Sequence, residues 1–193
     1  MPRPRFRSGW LGLLTLAGGL LSATAAGASG PPGPPRPLPS PQGGPAGPIP
    51  SLDQLLRKSP AELEALYRQA GLGPIPAGPA RGQALLAPGT RLGALRSKAA
   101  RLVWQGKVFH PEDATAINRF FGLRLIRAHV SYGESWLDGR PAIILDYRET
   151  SRLYARYRDE IRPIAPGLYL GLMYDRTTPQ PTLKLLFALD TRS

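Results

Sequence analysis

Glu134-Ser135-Trp136-Leu137-Asp138-Gly139-Arg140-Pro141-Ala142-Ile143-Ile144-Leu145-Asp146-Tyr147 sets an Asp-Gly pair between two runs that favour strands. Asp138-Gly139 is a hairpin signal, because the two-residue turns that match strand twist need positive φ at their central positions. Counting outward from that turn pairs Trp136 with Pro141, Glu134 with Ile143, Tyr132 with Leu145 and Val130 with Tyr147. Side chains alternate along a strand. One hairpin face therefore carries Ala128, Val130, Tyr132, Glu134, Trp136, Pro141, Ile143, Leu145 and Tyr147, and it is apolar except for Glu134. A slip of one residue would exchange the two faces.

Downstream, Arg152 to Ile164 is ambiguous between helix and strand, with Pro163 and the alternation of Arg158, Glu160 and Arg162 favouring strand toward its end. Ala165-Pro166-Gly167 suits a type II turn. Leu168–Tyr174 and Thr182–Leu189 then supply two more strands with leucines on one face. Short strands joined by turns at this spacing describe an antiparallel meander.

Upstream, Leu52, Leu55 and Leu56 have helical spacing, and Ser59-Pro60-Ala61-Glu62 is a capping box with proline at the first helical position. A helical region over about 52–70 follows. Arg81–Leu86 is expected as an edge strand. Thr90 caps a helix over about 91–103, with Leu92, Leu95, Ala99 and Leu102 facing inward and Arg91, Arg96, Lys98 and Arg101 facing out. In the strand Trp104–Phe109, alternation sets Trp104, Gly106 and Val108 against Gln105, Lys107 and Phe109. Pro111-Glu112-Asp113-Ala114 begins a short helix or turn reaching Asn118 and Arg119. The expected fold is α+β and mainly β: an antiparallel meander over about 104–190, curling into a lipocalin-like partial barrel with two N-terminal helices packed on it.

Residues 1–28 have the parts of a signal peptide: Arg3, Arg5 and Arg7, an apolar run from Trp10 to Leu21, then small residues with A-x-A sites at Ala23 and Ala26. The other reading is an uncleaved anchor over 10–28. Residues 29–50 are rich in proline and glycine and read as a disordered linker, which leaves 51–193 as one domain. A leader of this kind implies a periplasmic or extracellular location.

The chain carries 25 basic and 13 acidic residues. Four of the basic residues and none of the acidic ones precede residue 51, so the body keeps an excess of eight positive charges. That excess suits an anionic envelope surface. The basic residues are scattered and form no recognised nucleic-acid module, so no nucleic acid is expected as a partner. Without cysteine there is no disulfide, thiolate metal site or cysteine nucleophile. His110 and His129 are the only histidines and lack ligand spacing, so neither metal nor cofactor is implied.

Trp104-x-Gly106-Lys107-x-Phe109, Asp146-Tyr147, the Arg162 region, Leu170-Gly171-Leu172-Met173-Tyr174 and Leu186-Phe187-Ala188-Leu189 together resemble the GXWXG family joined to its partner domain, over roughly residues 60–190. The naming motif is incomplete, since Gly82–Leu86 has neither the tryptophan nor the second glycine. A related exported bacterial family is the other reading. The resemblance implies a small lipocalin-like β-rich domain and no particular activity.

Seven residues are candidates for a ligand site: Trp104, Lys107, Glu134, Trp136, Tyr147, Arg158 and Arg162. Glu134, on an apolar face beside Trp136, is the candidate general acid–base, since burial raises a carboxyl pKa. Lys107 is a candidate for an anionic ligand end. Arg158 and Arg162 could clamp a carboxylate or phosphate, with a structural ion pair as the other reading of both. No Ser-His-Asp set or phosphate loop is present. The leading expectation is a non-catalytic binding protein with an aromatic cavity for a small apolar or amphipathic ligand. The alternatives are a hydrolase or isomerase using Glu134 and an envelope-associated structural protein. Oligomeric state is not legible.

Overall fold

The computed structural model describes residues 50–192, so the leader and nearly all of the linker lie outside the described residues. Eight antiparallel strands run in chain order around a closed barrel. They are β1 (Gly78–Leu85), β2 (Trp104–His110), β3 (Thr115–Phe120), β4 (Leu123–Glu134), β5 (Pro141–Asp146), β6 (Tyr157–Ala165), β7 (Leu168–Asp175) and β8 (Thr182–Asp190). Three helices accompany them: α1 (Leu52–Arg57), α2 (Pro60–Gln69) and α3 (Arg91–Ala100). None of the described helices is long and apolar enough to cross a membrane.

The β4–β5 hairpin keeps the expected faces but not the expected turn. Glu134 pairs with Pro141, Tyr132 with Ile143 and Val130 with Leu145, two residues away from the count out of Asp138-Gly139. An even displacement leaves the paired side chains on their expected faces, but Trp136 falls in the loop and leaves the strand. Ser135–Arg140 forms a wider loop, in which Gly139 N donates to Ser135 O at 2.8 Å and Ser135 N to Arg140 O at 3.0 Å.

β1 is not an edge. It pairs with β2 through Gly78–Arg81 and with β8 through Arg81–Leu85, and so closes the barrel. Closure leaves no row of unpaired backbone groups. The segment expected to extend as helix or turn toward Asn118 stops after one 3-10 turn at Pro111–Asp113, and Thr115–Phe120 is strand β3. Phe121 and Gly122, both at positive φ, turn the chain from β3 into β4. The ambiguous Arg152–Ile164 region divides into a turn and strand β6.

The helical region over 52–70 is two helices. Ser51 and Ser59 each make a capping box, with Gln54 and Glu62 respectively. The first helix ends at Arg57, since Lys58 is already extended at φ −75° and ψ 145°; Ser59, held off helical backbone by Pro60 at φ −69° and ψ 160°, then caps the second. Leu55, Leu56, Leu63 and Tyr67 bury their side chains against the outer wall formed by Leu168, Leu170, Leu172, Leu186 and Ala188. Inside the barrel, Phe109, Ala128, Val130, Ile143, Leu145, Ile161, Tyr169 and Leu189 fill the end away from the β3–β4 turn.

Helix α3 packs the opposite way to its leucine pattern. Gly93, Ser97 and Ala100 are buried, while Leu92, Leu95, Ala99 and Leu102 face solvent. Small residues let the helix approach β1 and its exit. Ser97 Oγ accepts from Leu86 N at 2.8 Å, and Gln83 Nε2 donates to Ser97 O at 2.6 Å. A Cβ on Gly93 would sit 2.1 Å from Ala87 O.

Candidate functional site

A cavity of about 410 Å³ occupies the barrel beneath the β3–β4 turn and the 147–156 turn. Its walls include Ile126, Tyr154, Tyr157, Met173, Leu185 and Phe187, and Val103, Phe121, Leu125 and Leu153 line its way to the surface.

The floor depends on one backbone irregularity. Strict alternation would set Trp104 and Lys107 on opposite faces of β2. The register shifts between Trp104 and Gly106 as a bulge, with Gly106 at φ 116°. One extra residue reverses the alternation, so Trp104, Lys107 and Phe109 all turn inward. Gly106 lies against β1 so closely that an added Cβ would meet Ala80 O at 2.1 Å and Gly82 N at 2.4 Å. A Cβ on Gly82 would likewise meet Gly106 Cα at 2.5 Å. The pair of glycines is what permits the bulge.

Six side chains meet at this floor: Trp104 and Lys107 from β2, Asn118 from β3, Tyr147 from just past the end of β5, Asp159 from β6 and Phe187 from β8. Lys107 Nζ donates to Asn118 Oδ1 at 2.7 Å, to Tyr147 Oη at 2.7 Å and to Asp159 Oδ2 at 2.9 Å. Tyr147 Oη donates to Asp159 Oδ2 at 2.7 Å and accepts from Asn118 Nδ2 at 3.1 Å. Asn118 Nδ2 also donates to Ile126 O, and Trp104 Nε1 donates to Asn118 Oδ1 at 3.0 Å. Phe187 meets Trp104 edge-on at 5.6 Å. Trp104, Tyr147 and Phe187 surround the ammonium with ring centroids at 5.5–5.6 Å, which favours the cation electrostatically.

Every N–H and O–H of Lys107, Tyr147, Asn118 and Trp104 side chains is committed within this network or to Ile126 O. Asp159 Oδ1 is buried without a partner. Burial lowers the Lys107 pKa, opposed by the adjoining Asp159 carboxylate. Burial, reinforced by Asp159, holds the Tyr147 hydroxyl well above its ordinary value. Nearer the mouth, burial pushes Tyr154 up to about 12. An amine with three acceptors on its three protons is a held cation, not a nucleophile with a free lone pair.

Trp104, Lys107 and Tyr147 are therefore brought together, and the other four candidates are elsewhere. Glu134 is exposed at the end of β4 remote from the cavity, and its carbonyl accepts from Arg158 Nη2 at 2.5 Å. The hairpin loop carries Trp136 off the strand onto the outer wall, where it meets Tyr174 at 5.5 Å and covers the Arg158 guanidinium at 4.0 Å. Arg158 faces the same wall and lies 3.4 Å from Glu160, so its partner is Glu160 rather than a ligand. Arg162 is wholly buried beneath α2 and grips Asp138 with two bonds of 2.7 and 2.8 Å. The expected arrangement of these four around a ligand fails because β6 directs Arg158 and Arg162 outward with its other even-numbered residues, while Glu134 and Trp136 sit at the hairpin end remote from the cavity. The odd-numbered β6 residues Tyr157, Asp159 and Ile161 face in.

Asn118, Asp159 and Phe187 are the floor residues that the sequence did not single out. Asp159 had a legible signal, since it alternates with the Arg158, Glu160, Arg162 stripe. Asn118 had none while its segment read as a turn.

No family model matches the chain, and no curated protein matches it. A solved structure described as a protein from Thermomonospora curvata is similar at 18% identity and a TM-score of 0.48, covering 71% of this chain and 90% of that one.

Proposed function

We infer that this chain is a non-catalytic binding protein that takes an apolar or amphipathic small molecule into its barrel, apolar end first. The observation that carries the reading is the contrast between wall and floor. The wall is aromatic and aliphatic over a cavity of about 410 Å³, within the usual range of small-molecule pockets. At the floor, the donors of Lys107, Tyr147, Asn118 and Trp104 are already spent on one another and on Ile126. A ligand carboxylate there would find no free donor and would lose its hydration uncompensated. Acceptor atoms of the ligand belong at the mouth, beside the hydroxyls of Tyr154 and Tyr157. With residues 1–28 as an export leader, the protein would work in the periplasm or outside the cell.

The test is uptake of N-phenyl-1-naphthylamine, an apolar fluorophore, together with native mass spectrometry against lipid extracts. Emission enhancement that a long-chain alcohol displaces and that the folded variant Ala84→Phe loses is the expected result, because Ala84 lines the cavity and phenylalanine fills it. No enhancement by the parent, or equal enhancement by folded Ala84→Phe, would sink the reading.

A further inference from the structure

We propose that the open end of the barrel docks on an anionic phospholipid bilayer, with α3 and the mouth loops entering the headgroup region. This goes beyond ligand binding and stands whether or not the cavity is ever filled.

The antiparallel register places the end of β1, the start of β2, the β3–β4 turn and the start of β6 at one end of the barrel. Among the described residues, seven of the nine exposed large hydrophobic side chains belong to the segments at that end. Leu92, Leu95 and Leu102 come from α3 and its exit. Phe121, Leu125 and Leu153 line the mouth of the cavity itself. Leu102 is 76% exposed and Phe121 64%. The exposure of the α3 leucines has a structural cause. Gly93, Ser97 and Ala100 fix the other face of the helix against β1, so the leucines cannot turn inward.

The charge around this apolar rim is predominantly positive: Arg91, Arg96, Lys98, Arg101, Arg124, Arg148 and Arg152 are exposed there, against Glu149 in the 147–156 turn and Asp53, which lies 4.0 Å from Lys98. Arg96 on α3, Arg101 at its C-cap and Arg124 on β4 are exposed and enter no ion pair among the described residues. Lys98, Arg101 and Arg119 line one groove together with Leu102. Exposed carboxylates Glu112, Asp113 and Glu134 lie at the opposite end. Leucines interleaved with arginines on one face match a bilayer surface, where apolar side chains enter the acyl boundary and guanidiniums meet phosphates. A nucleic acid would use the cations but gain nothing from aliphatic leucines.

The absence of cysteine makes the test position-specific. Leu95→Cys, Leu153→Cys and, at the opposite end, Asp113→Cys are each made in the full chain and labelled with a polarity-sensitive fluorophore. Vesicles of phosphatidylcholine alone are compared with vesicles also containing phosphatidylglycerol. The expected result is a blue shift at 95 and 153 but not at 113, on the anionic vesicles. Adding Arg101→Glu and Arg124→Glu should weaken that response at least about tenfold. No shift at 95 and 153, or equal shifts at all three positions, overturns the proposal. So does a response at 95 to a duplex oligonucleotide in place of vesicles, which would assign the rim to nucleic acid. An apolar leader that tethers the chain would hold it near vesicles without ordering the three positions, so it cannot imitate the expected result.

Discussion

Lys107 Nζ lies 2.9 Å from Asp159 Oδ2, and both side chains are almost sealed from solvent. An ion pair at this depth costs desolvation of two charges. It persists here because Asn118, Tyr147 and the surrounding rings supply the bonds that water would otherwise make. Removing one partner strands the other. Lys107→Met should destabilise the fold by about 3–5 kcal/mol. Combining it with Asp159→Leu should recover at least about 2 kcal/mol of that loss, since the uncompensated carboxylate is gone. Urea unfolding of the four proteins measures the coupling, and additive losses would show that the pair is not a unit.

Gly106→Ala asks whether the β2 bulge builds the floor. At φ 116°, with a new Cβ 2.1 Å from Ala80 O, alanine is both strained and obstructed. The cost should be at least about 2 kcal/mol, of the size usual for forbidden backbone regions and backed by a backbone clash. If the strand escapes by losing its bulge, Trp104 leaves the face of Lys107. The fluorescence of Trp104 and uptake of the apolar probe would then change together. A folded variant with unaltered probe uptake would separate the bulge from the site.

The same bulge marks how far the sequence could be read. The β4–β5 faces were legible because period two survives any even displacement of register, so Tyr132, Ile143 and Tyr147 share a face with either turn. The loop length was not legible. It follows from Arg162 holding Asp138, a contact between residues 24 apart that no local turn preference contains. Trp104 and Lys107 were legible as candidates but not as neighbours, since one inserted residue reverses alternation. Helix α3 misled because its leucines mark an apolar stripe, whereas its buried face is chosen by small residues and by the hydroxyl of Ser97.

Two carboxylates, partly buried Asp138 in the 135–140 loop and fully buried Glu160 on the outer wall, should respond to pH in opposite senses. Asp138 is held below the usual 3.8: burial raises it, but the Arg162 bonds and the Arg140 backbone amide outweigh that effect. A carboxylate depressed in the folded state adds stability above its unfolded pKa, and that stability is lost as pH falls through the folded one. Glu160 is raised above 4.5, chiefly by burial and despite bonds from Ser135 and Trp136. Its contribution is present below 4.5 and is lost as pH rises through the folded value. Asp138→Asn should therefore flatten the acid limb of the stability profile. Glu160→Gln should gain on the parent as pH rises from acid to neutral. Urea midpoints across that range decide both, and parallel profiles for parent and variants would contradict the assignments.

Arg162 joins α2, the hairpin loop and β6 through all five of its N–H groups. Nε donates to Pro141 O, one terminal nitrogen to Tyr67 O and Asp138 Oδ2, and the other to Asp138 Oδ1 and Arg140 O. Its guanidinium also lies 4.5 Å from the Tyr67 ring centroid. The side chain is fully buried, so no donor is left for a phosphate or carboxylate ligand. Lysine keeps the charge but offers a compact head with fewer donors and no planar fork. Arg162→Lys should thus cost about 3 kcal/mol or more, close to the effect of removing one member of a buried pair. The loss should appear first as faster amide exchange in α2 and in the 135–140 loop, with probe uptake by the cavity unchanged. Equal stability of the lysine variant would mean that charge alone holds the loop; loss of probe uptake in a folded variant would return Arg162 to the binding site.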